Sequence, residues 1–171
     1  MKSKEVTTSV FLDAYDQHAD AIYRHCLFRV FSKERAEEFV QETFLRTWEY
    51  LEKGNEVENI RAFLYRVASN LIIDASRKKK EASVEKMMEE GSWEPSRDDR
   101  AEIEAKIEVR AIREVMEQLH EEDREIITLR FVDELDPREI AAFFRITPNA
   151  ASVRISRAID RLRKLLSEHD R

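Results

Sequence analysis

An all-α protein of two small helical domains, joined by an acidic linker and ending in a helix-turn-helix, is what this sequence predicts. Three observations carry the prediction. The 171 residues include only 2 glycines and 3 prolines, too few turn formers for sheets. Apolar residues recur at helical spacing along most of the chain. Charge is segregated: residues 1–53 carry net −2, 54–80 net +3, 81–125 net −9 and 126–171 net +2. Two basic regions thus flank an acidic middle. In a chain of net charge −6 this suggests two local contacts with nucleic acid rather than a general attraction.

The first domain is expected over residues 8–80. Its first helix places Phe11, Tyr15, His18, Ile22, Cys26 and Val30 on one stripe. Ser32 is a cap for a second helix with Ala36, Val40, Phe44, Thr47 and Leu51 inward, ended by Gly54 and Asn55. A third helix carries Ile60, Phe63, Leu64, Val67, Ala68, Leu71, Ile72 and Ala75 and ends in Arg77-Lys78-Lys79-Lys80. That basic run suits a helix C-terminus as well as a phosphate contact. Three such helices bury one bundle core. Residues 81–100 read as the acidic linker, with Met87, Met88 and Trp93 its apolar anchors.

The second domain is expected over 101–168. Ile103, Ile107, Ile112, Val115, Met116 and Leu119 continue a helical pattern, and Ile126, Ile127, Leu129, Phe131 and Val132 form another. Asp136-Pro137 then opens a short helix with Ile140, Ala141 and Phe144 on one face. Thr147-Pro148 repeats the cap-plus-proline signal eleven residues later. The helix that follows buries Ala151, Ile155, Ala158, Ile159, Leu162, Leu165 and Leu166. It carries Arg154, Arg157, Arg161, Arg163 and Lys164 against one acid, Asp160. Two helices around a tight turn, the second basic, are the pattern that enters the DNA major groove. A helical hairpin with a solvated basic face is the plainer reading of the same residues.

Chemistry is not foreseen. The four histidines are scattered, the one cysteine, Cys26, cannot form an internal disulfide or a zinc set, and no glycine-rich phosphate loop occurs. No catalytic residue, metal or cofactor is expected. There is no run of 18 apolar residues and no apolar core to the start, MKSKEVTTSV. A cytoplasmic protein with no membrane insertion is therefore expected.

Several segments, in order, carry a family likeness: Gln41-Glu42-Thr43-Phe44, Leu64-Tyr65-Arg66-Val67-Ala68-Ser69-Asn70 with Asp74 and Arg77, and Arg157-Ala158 with Leu162-Arg163. Over residues 8–168 the chain resembles the extracytoplasmic-function (ECF) sigma factors of bacterial RNA polymerase, in the sigma-70 superfamily. The resemblance implies a non-enzymatic factor. It binds core polymerase, directs initiation through promoter −10 and −35 elements, melts the −10 region and is held inactive by an anti-sigma factor.

The resemblance also implies roles for residues. Glu38, Gln41, Glu42 and Leu45 would meet the β′ clamp, and the 121–132 segment the β flap. Arg61, Tyr65, Arg66, Ser69, Asn70, Asp74, Arg77 and Lys78 form the expected outward face of the third helix, facing −10 DNA. Asn70 would read a flipped base, with Lys53 to Asn59 completing the pocket; hydrogen bonding within the bundle is the other use of that amide. Arg138, Asn149, Ser152, Val153, Arg154, Ser156 and Arg157 would meet the −35 duplex.

The chain departs from the family pattern in three places. Phe63 replaces a tryptophan, and Arg145 replaces the turn glycine. Asn149-Ala150-Ala151-Ser152 replaces Gly-Thr-Val-Lys, which removes a basic base-reader. Two rival readings remain: a stand-alone helix-turn-helix regulator with a dimerisation or sensing domain, and a helical adaptor that binds only protein.

Overall fold

The computed structural model describes residues 4–30, 32–83, 112 and 114–169, and these contain helices and no strand. Met87, Met88, Trp93, Ile103 and Ile107 lie outside the described residues, as does most of the expected linker. Six helices order the chain: α1 (Lys4–Val30), α2 (Lys33–Glu52), α3 (Ile60–Ser83), α4 (Glu121–Phe131), α5 (Pro137–Phe144) and α6 (Pro148–His169). A short helical stretch, 114–118, precedes α4.

α1, α2 and α3 pack as a three-helix bundle. Ser32 caps α2 by accepting from the Arg35 backbone N–H, and Asn59 Oδ1 accepts from Ala62 N at the start of α3. Ile22 and Cys26 of α1, Ala36 and Phe44 of α2, and Leu64 and Ala68 of α3 are buried together. Phe11 meets Trp48 and Phe44 edge-on. Gly54 turns the chain after α2 with φ 83°, a conformation that only glycine adopts freely. α3 does not end at Lys80 but runs to Ser83. The acid Glu81 does not stop it, since glutamate is a good helix former.

The second bundle contains α4, α5 and α6 around Leu129, Leu135, Ile140, Ala151, Ile155 and Ala158. Each fully buried Leu or Ile contributes about 1.5–3 kcal/mol of apolar transfer. Asp136 forms a full capping box: its carboxylate accepts from Arg138 N and Glu139 N, and the Glu139 side chain accepts from Asp136 N. Thr147 Oγ1 accepts from Ala150 N at the start of α6. Five apolar residues expected on inward stripes are exposed: Tyr15 of the first bundle, and Ile112, Phe131, Val132 and Leu166 of the second. Phe131 is the last residue of α4 and Val132 its C-cap, and both are exposed at that end of the helix.

The two bundles pack on each other, with α3 against α5. Buried residues of both belong to one continuous apolar cluster. Charged groups line the remainder of this seam.

Candidate nucleic-acid interface

The helix-turn-helix presents a clear outer face. Ala151, Ile155 and Ala158 are buried, while Asn149, Ser152, Val153, Ser156 and Arg157 are exposed. Arg154 is half-buried and pairs with Glu122; Arg161 pairs with the buried Asp123. These two arginines therefore staple α6 to α4, and Arg154 is already engaged by a carboxylate. Arg138 is exposed in the first turn of α5. The turn itself is held by Arg145, at φ 54° and ψ 45°, with Arg145 N donating to Ala142 O and Ile146 N to Ala141 O. The chain thus keeps the left-handed turn conformation and imposes it on an arginine.

The set expected on the outward face of α3 divides in two. Asn70, Asp74, Arg77 and Lys78 are exposed, and Leu71 on their flank packs inward. Tyr65 and Ser69 are not outward. Tyr65 is 1 % exposed, its ring edge-on to His25 at 4.9 Å and under the Arg61 guanidinium at 5.7 Å. Ser69 is buried and its hydroxyl lies 2.9 Å from Glu125 Oε1. Arg61 and Arg66 are half-buried in the seam. Arg61 Nη1 donates to both Glu139 oxygens at 2.9 and 2.8 Å, and its Nη2 to Asp133 O at 3.0 Å. Arg66 reaches Ala142 O at 3.4 Å and lies over the Phe63 ring. The outward expectation fails for these four because the second bundle covers that part of α3.

Electrostatics follow the same division. Burial works against the Arg61 charge, but the Glu139 carboxylate outweighs it and raises its pKa. Arg66 has no such carboxylate. Burial, and then the like charge of Arg145, lower its pKa. On α2, Glu38, Gln41 and Leu45 are exposed and Glu42 is half-buried, so they line one outer stripe, with Leu45 52 % exposed. Glu42 also binds Arg46 at 2.7 Å.

Residues 14–82 match region 2 of the sigma-70 family, and residues 109–162 match sigma-70 region 4. The chain is 30 % identical over 155 residues to the ECF RNA polymerase sigma factor SigL of Mycobacterium tuberculosis (strain ATCC 25618 / H37Rv), covering 90 % of this chain and 87 % of SigL. It belongs to the ECF sigma factors. SigW of Bacillus subtilis (strain 168), also an ECF sigma factor, is 29 % identical over 174 residues, covering 96 % of this chain and 93 % of SigW. The fold matches sigma factor RpoE of Bartonella quintana, solved in complex with the anti-sigma factor NepR. The TM-score is 0.63 at 20 % identity, over 92 % of this chain and 96 % of RpoE.

A sigma factor of this family directs RNA polymerase to promoters and performs no bond chemistry of its own. Among the described residues no group of acids, histidines and cysteine is placed to hold a metal, and no helix is long and apolar enough to cross a membrane.

Sequence reasoning missed the seam of this sigma factor. His25 is fully buried, its Nδ1 2.8 Å from Asp133 Oδ2 and its Nε2 3.0 Å from Ser69 Oγ. Arg29 Nη2 donates to Glu125 Oε1 at 3.0 Å and to Asp133 Oδ2 at 3.3 Å. Burial, then Arg29, hold the His25 pKa down, against Asp133 and Glu125. One signal was available. His25 directly precedes Cys26 on the buried stripe of α1, and a polar ring there needs a buried partner.

Proposed function

We propose that this sigma factor uses two separate DNA-reading surfaces, on domains spanning 8–80 and 101–168 with a linker at 81–100. α6 lies in the −35 major groove. Ser152, Val153, Ser156 and Arg157 face base edges or phosphates, while Asn149, Arg154 and Arg138 contact the backbone near its N-terminal end. Asn70 reads a −10 base extruded from the stack during melting, flanked by Arg61, Tyr65, Arg66 and Ser69. Asp74, Arg77 and Lys78 face the adjoining strand.

The α2 stripe of Glu38, Gln41, Glu42 and Leu45 docks on the β′ clamp, and the 121–132 segment meets the β flap. An anti-sigma factor covers these surfaces in the cytoplasm until initiation is required. The observation that carries this reading is the exposed face of α6, opposite the buried Ala151, Ile155 and Ala158.

The test is a mobility shift on promoter fragments. The isolated chain should bind weakly, and core polymerase should confer specific binding. Tight palindrome-specific binding by the isolated chain would favour a stand-alone regulator instead.

A further inference from the structure

We propose that Val153 is a specificity residue of the reading helix. It packs on the C5-methyl group of a thymine in the −35 duplex, so that this chain selects a T·A pair there by apolar contact. The inference rests on the −35 role given above to α6.

Position carries the assignment. α6 begins at Pro148, and Val153 stands in its second turn, where a recognition helix meets base edges. Val153 is 42 % exposed, on the side opposite the buried Ala151, Ile155 and Ala158. Around it on the helix surface, Asn149, Ser152, Ser156 and Arg157 are exposed and polar. A valine at such a place does little for the helix: its β-branched side chain loses rotamer freedom there and covers no core. A lone apolar residue on a surface needs no explanation, but this one sits at the centre of a polar reading face.

The neighbours leave Val153 free to approach the groove floor. Arg154, next in sequence, is half-buried and paired with Glu122 of α4, so its guanidinium does not overtop the valine. Ser152 is short, and its hydroxyl donates to Pro148 O at 3.1 Å. Among the base-facing residues, hydrogen-bond donation therefore falls to Ser156 and Arg157, and apolar contact to Val153. The valine side chain neither donates nor accepts. Opposite it, a cytosine amino group or a guanine O6 would lose water and gain no partner. Thymine presents a methyl instead, the one apolar group in the major-groove code. Attraction to the right pair and rejection of the wrong one thus act together.

The spacing extends the assignment. Arg157 follows Val153 by four residues, about 6 Å along the helix. Successive base pairs are about 3.4 Å apart, so the two side chains meet pairs about two steps apart when α6 runs along the groove. A guanidinium prefers guanine O6 and N7. The selected −35 duplex should therefore hold a thymine and, about two pairs away on either strand, a guanine.

The test uses holoenzyme assembled from core polymerase and the full chain, offered promoter duplexes randomised across the −35 region. Each fixed thymine of the selected duplex is then replaced by deoxyuridine, which removes the methyl and leaves every hydrogen-bonding edge. One such replacement should weaken wild-type binding, read by mobility shift, about three- to tenfold, as expected for one buried methyl. Val153→Ser should abolish that penalty and leave those at other thymines. Arg157→Ala should weaken binding yet keep the penalty, because it removes a different contact.

A selected −35 sequence with no fixed thymine would overturn the assignment. So would a wild type indifferent to deoxyuridine at every thymine, or a penalty that survives in Val153→Ser. Circular dichroism checks that Val153→Ser is folded, and the deoxyuridine series on the wild type can overturn the idea without the variant. If the holoenzyme initiated but selected no −35 sequence at all, the −35 reading of α6 would fall and take this assignment with it. A fixed thymine that ignores Val153 would sink the assignment alone.

Discussion

Arg145→Gly should stabilise the protein, although it deletes a side chain. Arg145 closes α5 at φ 54° and ψ 45°, and its backbone N–H and that of Ile146 satisfy the Ala142 and Ala141 carbonyls. A left-handed conformation costs an L-residue with a Cβ about 1–2 kcal/mol, which glycine avoids. Glycine also loosens the unfolded chain, which takes back roughly 0.5–1 kcal/mol. Removing the Arg145 charge relieves Arg66, whose charge it opposes. The net gain is about 0.5–1 kcal/mol, a rise in Tm of roughly 1–4 °C. Thermal unfolding followed by circular dichroism measures it, with Arg145→Ala as control. Alanine removes the same charge but keeps the Cβ, so it should give only the small relief of Arg66 and fall well short of glycine. A glycine variant less stable than wild type, or an alanine variant equally stabilised, would refute the argument from turn geometry.

Other outcomes follow from the same structure. Cys26, fully buried with its thiol pushed up to about 12, should react with a thiol reagent only at the rate of opening, and fully in denaturant; rapid native labelling would contradict the α1–α2–α3 core. Arg157→Ala should weaken promoter binding of the holoenzyme by about 1–3 kcal/mol if Arg157 reads a base; a full-strength −35 footprint would remove that role. Asn70→Ala should impair −10 opening, read by permanganate reactivity, while leaving duplex −35 binding intact.

Much of the fold was legible because its signals are local. Ser32, Asp136 and Thr147 each sit within three residues of the N–H groups they cap. The stripes of α2, α3 and α6 keep helical spacing over several turns. The inward placement of Leu64, Ala68, Ile155 and Ala158 therefore followed from period alone. The exposed outer face of α6 was legible for the same reason, being the complement of that stripe.

The outer face of α3 was not. Whether Tyr65 and Ser69 point to water depends on Glu125 and Asp133. Those residues lie 56 and 108 positions from their partners Ser69 and His25, and no period along the chain encodes such pairs. Arg154 was readable as a cation but not as the partner of Glu122, 32 residues earlier. Arg145 was readable as a glycine replacement. Only the structure shows that the turn kept its handedness and did not change type.

The central claim is promoter-directed initiation with both bundles in use. Run-off transcription with purified core polymerase, this chain and a library of genomic fragments tests it most directly. The account predicts discrete transcripts from a subset of fragments, dependent on the chain and diminished by both Asn70→Ala and Arg157→Ala. Transcription indifferent to the presence of the chain on every fragment would contradict it.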